Sequence, residues 1–271
     1  MKKHGNIYIA GMNFRGSRAA APSGALSLNV TSAQSKTSLA RLDFSPMTPI
    51  IGCYKGYWNF EHYWQSGKVF EDIDHDESRK WWREQTQPHR RYPESRGRKV
   101  LYAVFDDFPG EKIDYITSRK KIYVPEYFNL IKNKKSITKW KKMGNRGVDI
   151  VVYDFDGPRD ANGEPICLEI TLDLLINKIN DPTYPFGHGY VVAGYLAGFH
   201  PGCYVEGLDK VYILRDIISY LSEQIYQTNN NTLNKDNSIL QIFNVSKLNK
   251  IINNLVQILY FGKNQNIVLN N

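Results

Sequence analysis

The chain has few of the features that mark secreted, zinc-binding or membrane-spanning proteins. Its 271 residues include three cysteines, Cys53, Cys167 and Cys203, with no C-x-x-C pair and no histidine at a spacing suited to zinc. No stretch reaches the 18 or so apolar residues that a membrane helix needs. The apolar run 7–12 that follows the basic start is too short for a signal peptide. We therefore expect a soluble, cytoplasmic protein with free thiols and no membrane attachment.

Acidic residues are too few to balance the basic ones. The chain has 35 Lys and Arg against 27 Asp and Glu, which gives a formal net charge of +8. Such an excess favours phosphate-bearing partners without identifying one. Arg15 and Arg18, beside Gly16 and Ser17, fit a phosphate cradle or, equally well, a basic surface turn. The arginine-rich residues 88–99 suit phosphate or nucleic acid.

The sequence predicts no metal site and no cofactor. The acidic run 71–77 contains Glu71, Asp72, Asp74, Asp76 and Glu77, but it lacks the glycine and the spacing of a calcium-binding loop. Carboxylates this close together are typical of the first turn of a helix, where they complement the helix dipole. We expect that helix over residues 77–86.

Aromatic side chains are densest in residues 57–70. If this stretch is a helix from about residue 59 to 70, Glu61, Gln65 and Lys68 lie at i, i+4 and i+7 on one face. Helical rise would then separate Glu61 from Lys68 by about 10.5 Å. An aromatic stripe lies beside this line, formed by Phe60, Tyr63, Trp64, Gly67 and Phe70. The pattern fits the floor of a pocket, or the solvated polar face of an amphipathic helix.

Three segments resemble one known family. Residues 61–68, E-H-Y-W-Q-S-G-K, are similar to the E-H-Y-x-Q-x-x-K signature of the NADAR family, also called YbiA-like. Residues 43–47, D-F-S-P-M, are similar to its F-S-x-F-x-P segment. Residues 181–189 and 193–196 resemble its D-x-x-W-G-x-G and N-x-L-G segments, although no Trp is present at residues 184–187. The resemblance covers roughly residues 40–200.

The resemblance implies a site and a chemistry. Members of this family hydrolyse N-glycosidic bonds in riboflavin-pathway intermediates or in ADP-ribose attached to guanine. By the resemblance, Glu61 would stabilise positive charge on the sugar, Lys68 would form a Schiff base with it, and Asp181 would orient ribose hydroxyls or assist proton transfer. The expected substrate-binding residues are Phe44, Tyr63, Trp64, Gln65, Arg15, Arg98, Gly187 and Gly189. The mid-chain aromatic of the family has four candidates, Trp81, Trp82, Tyr123 and Trp140.

The predicted fold class is α+β and predominantly helical. We expect a single YbiA-like domain over residues 1–205 with a few short strands, followed by a helical, Asn-rich extension over residues 206–271. Strands are predicted over 6–12, 26–30, 100–105 and 148–155, and the last of these, with the turn-rich loop after it, resembles an insertion relative to compact family members. Residues 43–49 are expected to be extended, and helices are predicted over 122–143 and 168–179.

Two functions remain open from the sequence. The first is an N-glycosidic bond hydrolase that acts on ADP-ribosyl or related phosphoribosyl substrates, with ADP-ribosylated nucleic acid among its partners. The second is a basic nucleotide-binding or nucleic-acid-binding module without turnover. The line of Glu61, Gln65 and Lys68 favours the enzyme, because a carboxylate on a pocket floor does not help to bind phosphate.

Overall fold

The structure is a computed structural model that describes residues 4–12 and 22–205. These residues belong to one unit of the chain, which runs from Met1 to Glu206. Arg15 with its loop and the extension over 206–271 lie outside the described residues. Within them, the protein has a mixed α/β fold in which helices surround a small sheet.

The strands in chain order are β1 (Ile7–Gly11), β2 (Leu26–Asn29), β3 (Lys68–Phe70), β4 (Val100–Ala103), β5 (Ile150–Asp154) and β6 (Cys167–Glu169). The helices are α1 (Leu39–Phe44), α2 (Phe60–Ser66), α3 (His75–Glu84), α4 (Tyr115–Ser118), α5 (Val124–Ile131), α6 (Lys135–Asn145), α7 (Leu172–Asn180) and α8 (His188–Leu196). The longest of these described helices has 11 residues, which is about half the length that crosses a bilayer.

The main sheet has the strand order β2-β5-β1-β6. Strands β1 and β2 both run parallel to β5, and β6 is antiparallel to β1. Ile9 and Leu28 both pair with Val152, and the consecutive residues Ile150, Val151 and Val152 of β5 are all buried, as expected for a strand covered on both faces. The carboxyl ends of the three parallel strands therefore meet at one edge of the sheet. The strand predicted over 148–155 is central to this sheet.

The expectation that one helix continues from residue 59 to Phe70 is wrong. Helix α2 ends at Ser66, and Lys68 begins β3, which pairs with β4 in a two-stranded antiparallel sheet. Gly67 forms the joint, where a Cβ atom would lie 2.4 Å from the ring of Phe105. The close packing of this ring against the backbone accounts for the glycine, and Val69 and Phe70 favour a strand. Lys68 is therefore not on the helix face that carries Glu61.

Other elements differ from the predictions through tertiary contacts. Residues 39–44 form a helix where an extended segment was expected from Asp43, because Ser38 caps it by accepting a hydrogen bond from the Arg41 backbone N–H. The helix expected over 122–143 is divided into α5 and α6, and the Ser136 backbone N–H at the start of α6 donates to Asp43. The helix expected from Leu168 begins at Leu172, because residues 167–169 pair with β1.

Helix α8 is the central helix of the fold. Apart from Tyr195, all its residues are buried, and it packs against β1, β5, α5 and α6. A helix that is apolar on every side is typical of a protein interior. Because α8 begins at His188 and packs against β1 and β5, the residues just before His188 lie close to the edge of the sheet.

A buried arginine holds that segment. The side chain of Arg119 is 1% exposed, and its Nη1 donates to the carbonyl oxygens of Lys178, Ile179 and Asp181 at 3.0–3.1 Å. Its Nη2 donates to the carbonyl oxygen of Tyr184 at 2.9 Å. The last carbonyls of a helix have no partner within the helix. Arg119 therefore caps the end of α7 and fixes the turn that leads into α8.

We expect Arg119→Lys to lower the free energy of unfolding by roughly 2–4 kcal/mol, because a single ammonium cannot reach all four carbonyls and leaves buried acceptors unpaired. The measurement is urea unfolding followed by circular dichroism. Arg98→Lys is the matched control: Arg98 is exposed and pairs with Asp72 at 2.9 Å, so the change should be within about 0.5 kcal/mol. Equal effects of the two substitutions would contradict this role for Arg119.

Candidate active site

The start of α2 fixes the orientation of Glu61. Asn59 caps the helix by accepting a hydrogen bond from the His62 backbone N–H at 2.8 Å, and its side-chain amide donates to the carbonyl of Met47 at 3.1 Å. The Glu61 backbone N–H donates to the carbonyl of Pro46 at 3.0 Å. Gln65, one turn further along, donates from Nε2 to Glu61 Oε1 at 2.7 Å. Both side chains are partly exposed, so water reaches the carboxylate, one oxygen of which already accepts a hydrogen bond. The surface that Glu61 shares with Lys68 and Asp156 is called the cleft below.

Lys68 faces the same cleft from strand β3. Its Nζ lies 5.8 Å from the centre of the Trp64 ring. The surrounding protein displaces water from the amine and lowers the pKa of Lys68, and the nearby charge of Arg91 lowers it further. The carboxylates of Glu61 and Asp156 act in the opposite direction. Lys68 is therefore within electrostatic reach of both Glu61 and Asp156. The sequence predicted only Glu61 as its neighbour.

The loop after β5 contributes the second carboxyl group of the cleft. Water reaches the Asp156 side chain, yet the surrounding protein and the charge of Asp154 raise its pKa to about 6. His188 and Lys68 partly oppose this shift, and Glu61 adds to it. These interactions place Asp156 within electrostatic reach of Glu61, Lys68 and His188 at the start of α8.

Asp154 lies beneath the cleft and is 1% exposed. Its Oδ2 accepts a hydrogen bond from the Gly189 backbone N–H at 2.7 Å, and the Nδ1 atom of His188 lies 3.4 Å away. Its Oδ1 has no hydrogen-bond partner within residues 4–12 and 22–205. The N-terminus of α8 thus compensates a buried carboxylate, since helix N-termini carry free N–H donors and partial positive charge.

Gly187 and Gly189 allow this close approach. A Cβ atom on Gly187 would lie 2.5 Å from Asp154 Oδ2 and 2.7 Å from Asp156 Cβ. A Cβ atom on Gly189 would lie 2.5 Å from Asp154 Cβ. All three distances are shorter than van der Waals contact allows, so any side chain would push α8 off the sheet edge. The sequence predicted these glycines as substrate contacts, and the structure places them against the two aspartates.

Buried aromatic rings pack next to Lys68 and Glu61. Trp64 packs against Tyr123 with ring centres 4.9 Å apart and stacks on Phe105 at 5.8 Å. Burial raises the pKa of Tyr123, and the charges of Glu61, Asp154 and Asp156 add to the effect. Tyr123 therefore lies beside the acidic groups. The other candidates for the mid-chain aromatic lie in other contacts, Trp81 and Trp82 against His89 and His62 and Trp140 on α6.

Asp181 lies in the turn that follows α7. Its carboxylate accepts hydrogen bonds from the backbone N–H and the hydroxyl of Thr183, and Lys178 Nζ lies 4.0 Å away. These hydrogen bonds lower the pKa of Asp181. The described contacts connect this carboxylate to its own turn, and the electrostatic partners of Lys68 are Glu61, Asp156 and Arg91 instead.

Three predicted substrate contacts also have other partners. Phe44 is 0% exposed, and its carbonyl oxygen accepts a hydrogen bond from the Tyr127 hydroxyl. Tyr63 is buried, and its hydroxyl donates to Asp107. Arg98 is exposed and pairs with Asp72. Arg15 lies outside the described residues, so its predicted contact stays a prediction.

The sequence contained a signal for the missed carboxyl groups. Residues 148–154 are the clearest strand pattern in the chain, and acidic residues follow at Asp154 and Asp156. In sheets with parallel strands, ligands bind beyond the carboxyl ends of the strands. No site residue was predicted at this position, because residues 148–163 resemble an insertion relative to compact family members.

The site has groups that are suited to acid–base and nucleophilic chemistry. It combines a carboxylate, an amine with a lowered pKa and a carboxyl group with a raised pKa, and such opposed shifts are typical of catalytic sites. No group of three or more His, Cys, Asp or Glu residues suited to a metal ion occurs in the described ranges.

Comparisons of the chain with protein-family models, with curated proteins and with solved structures found no match. The geometry of the cleft therefore carries the functional argument.

The raised pKa of Asp156 predicts a stability that falls as pH rises. The folded protein holds the Asp156 proton more tightly than the unfolded chain, whose pKa is near 3.8 against about 6 when folded. This contribution is fully present below pH 3.8 and is lost as pH rises to about 6. Asp156→Asn cannot ionise, so it should be more stable than the wild type above pH 6 and equally stable below pH 4. Urea unfolding at a series of pH values measures this.

Asp76→Asn is the control for that experiment. Asp76 is exposed in the first turn of α3, where a negative charge is favourable, so its removal should not stabilise the protein at high pH. An Asp156→Asn variant that is no more stable than the wild type at pH 7 would show that Asp156 ionises freely.

Proposed function

We propose that the protein hydrolyses N-glycosidic bonds in ADP-ribosyl or related phosphoribosyl substrates. The observation that supports this most directly is the electrostatic coupling of Glu61, Lys68 and Asp156, whose side chains are all at least partly exposed. Cleavage of an N-glycosidic bond needs charge stabilisation at the anomeric carbon, a proton for the departing base and a nucleophile. These three residues are chemically suited to the three tasks.

Glu61 stabilises the positive charge that develops on the sugar. Its side chain is oriented by the helix cap at Asn59 and by the hydrogen bond from Gln65. A carboxylate oriented in advance stabilises a cationic transition state more than it stabilises a neutral ground state. In this proposal Gln65 keeps its predicted substrate-binding role, because its side-chain amide is hydrogen-bonded to Glu61 and lies next to the sugar that Glu61 would contact.

Asp156 protonates the departing base. A carboxyl group with a pKa of about 6 is partly protonated near neutral pH, which suits a general acid. In this proposal Asp156 takes the proton-transfer role that the resemblance assigned to Asp181, whose carboxylate is bound within its own turn. After the base has left, the Asp156 carboxylate can accept a proton from the attacking water.

Lys68 attacks the anomeric carbon. Its lowered pKa increases the neutral, nucleophilic fraction of the amine. The amine forms a bond to the anomeric carbon as the bond to the base breaks, and the base takes its proton from Asp156. The Asp156 carboxylate takes the proton that the amine loses and returns it to the ring oxygen as the sugar ring opens, which leaves an imine. Water hydrolyses the imine and releases the sugar and the lysine.

Trp64 and Tyr123 form a buried apolar layer next to the reactive groups. The rings are in contact at 4.9 Å, and Trp64 also borders Lys68. Tyr123 is the described mid-chain aromatic whose pKa is affected by Glu61, Asp154 and Asp156. We therefore assign it the position of the family's mid-chain aromatic. The predicted partners are an ADP-ribose-like or nucleotide substrate and, when the base belongs to a polymer, ADP-ribosylated nucleic acid.

A basic groove supports the second candidate, a nucleotide-binding or nucleic-acid-binding module. A groove of about 620 Å³ on α6 is lined by Lys135, Lys139, Lys142 and Arg146. These residues are spaced so that they follow one face of the helix, where they can contact successive phosphates. The groove is compatible with turnover, and the two functions are separated by whether product forms.

The direct test is incubation of the full chain with DNA that carries ADP-ribosylated guanine and, separately, with phosphoribosyl compounds. Released base and sugar are measured by mass spectrometry. Product from either substrate supports the hydrolase. Binding of both without any product would favour the module.

Glu61→Gln should reduce turnover by about a hundredfold or more, because the amide cannot stabilise the sugar cation. The free energy of unfolding should change by less than about 0.5 kcal/mol, since the amide oxygen can still accept the bond from Gln65. Glu71→Gln is the control, since Glu71 is exposed beyond the end of β3. Glu61→Gln with normal activity would remove Glu61 from the mechanism.

Lys68 should be trapped on the substrate by borohydride, which reduces the imine to a stable secondary amine. Mass spectrometry should find the sugar on the peptide that contains Lys68. Lys68→Arg keeps the charge but cannot form the imine at useful rates, so it should bind substrate and escape trapping. Lys99→Arg, on the neighbouring segment, is the control. Full turnover in Lys68→Arg would leave water as the attacking group.

A further inference from the structure

A buried carboxylate and a buried imidazole lie next to each other behind Asp156. Asp154 at the end of β5 is 1% exposed, and His188 at the start of α8 is 8% exposed. The Nδ1 atom of His188 lies 3.4 Å from Asp154 Oδ2. Because both side chains are shielded from water, their charges act strongly on neighbouring groups. Neither side chain has a role in the reaction proposed above.

Two contacts fix the orientation of the His188 ring. Its Nε2 atom lies 3.0 Å from the carbonyl oxygen of Val30. A carbonyl oxygen only accepts hydrogen bonds, so Nε2 carries a proton and donates it to this bond. The ring of Tyr127 packs edge-on against the imidazole, with ring centres 5.6 Å apart. The Nδ1 atom of His188 therefore stays directed at the Asp154 carboxylate.

Gly187 limits the distance between the two aspartates. A Cβ atom on Gly187 would lie 2.5 Å from Asp154 Oδ2 and 3.1 Å from Asp156 Oδ2. The two oxygens are therefore no more than 5.6 Å apart, which is the sum of these two distances. Two carboxylates this close repel each other when both are ionised. In the part of the chain that the structure describes, Asp154 Oδ1 has no hydrogen-bond partner that would disperse its charge.

The charges of Asp154 and His188 act on Asp156 in opposite directions. Burial and the charge of Asp154 raise the pKa of Asp156 to about 6, whereas the charge of His188 opposes that rise. Loss of either charge should therefore change the proton affinity of Asp156, and the two losses should change it with opposite sign.

Several neighbouring elements contribute further titratable groups. Those that face one or both aspartates are Glu61 from α2, Lys68 from β3, Tyr123 before α5, Tyr127 from α5 and Tyr190 from α8. Burial raises the pKa of each of these tyrosines, so their hydroxyls stay neutral near pH 7. Arg159 and Lys178 line a small cavity that Asp156 borders. All these charges are the same in the wild type and in the variants described below.

We infer that Asp154 and His188 are positioning residues for the proposed general acid: together they determine whether Asp156 holds its proton, with Asp154 favouring retention and His188 favouring release. The part that they play in turnover rests on the proposed function. Both residues act through Asp156, and neither was among the site residues predicted from the sequence.

The first measurement follows the Asp156 carboxyl group directly and does not depend on turnover. Carbon NMR of the aspartate carboxyl groups is recorded over a pH series on the full chain, and the Asp156 signal is identified by its loss in Asp156→Asn. Asp154→Asn should lower the titration midpoint of Asp156 by about one pH unit or more, because it removes a nearby like charge. His188→Gln should raise the midpoint, because glutamine retains a donor for Val30 but carries no charge.

Tyr127→Phe is the matched control, because it alters the same buried region without changing a charge. It removes the hydroxyl that donates to the Phe44 carbonyl and keeps the ring beside His188. It should lower stability and leave the Asp156 midpoint unmoved. Each charge variant is decisive on its own, even if the other does not fold. A midpoint that stays, or that moves in the direction opposite to the one given, would overturn the inference.

The pH profile of turnover is the second measurement. The alkaline limb of kcat reports the loss of protonated Asp156, so it should move to lower pH in Asp154→Asn and to higher pH in His188→Gln. Damage to the fold alone would lower kcat at every pH without moving the limb. Opposite NMR shifts without product from any substrate would remove the enzyme and keep the influence of the pair. Turnover with unmoved midpoints would keep the enzyme and remove the role of the pair.

Discussion

The contact between the start of α8 and the end of β5 is the constraint on which the site depends. Asp154 is a carboxylate with 1% exposure, and burying such a group is costly unless donors compensate it. The Gly189 backbone N–H provides a donor at 2.7 Å, and the helix N-terminus adds its partial positive charge. The same contact fixes where the chain turns after Asp154, and therefore where Asp156 reaches the cleft. The positions of Asp154 and Asp156 therefore both depend on the position of α8.

Two other features maintain that contact from outside the cleft. Arg119 binds four carbonyls between Lys178 and Tyr184 and so holds the turn before α8. The glycines at 187 and 189 remove the side chains that would separate helix from sheet. The hydrogen bonds of Arg119 attract the turn, and the two glycines avoid a steric clash between α8 and the sheet. The packing of apolar α8 against β1 and β5 adds the burial of apolar surface that stabilises this arrangement.

The sequence predicted the elements that are determined by neighbouring residues, and it missed features that depend on contacts between residues distant in sequence. The strands at 7–11, 26–29 and 150–154 were predicted from short apolar segments, which act within a few residues. Helix α3 was predicted from its acidic first turn, two residues later than it lies, over 77–86 instead of 75–84. The end of α2 was missed because it depends on the Phe105 ring, which is distant in sequence. Glu61, Gln65 and Lys68 were brought to attention by their own segment. Asp156 was missed because only the sheet brings it to them.

The joint at Gly67 changes what determines the distance between Glu61 and Lys68. On a continuous helix, the pitch would set that distance, and no substitution elsewhere would alter it. Here the carboxylate belongs to a helix and the amine to a strand, and the ring of Phe105 against Gly67 sets the angle between them. The spacing of the reactive groups is therefore an adjustable quantity. A change in the volume of residue 105, which carries no reactive atom, would change the distance between the Glu61 carboxylate and the Lys68 amine. It would thereby change the size of the sugar that fits between them.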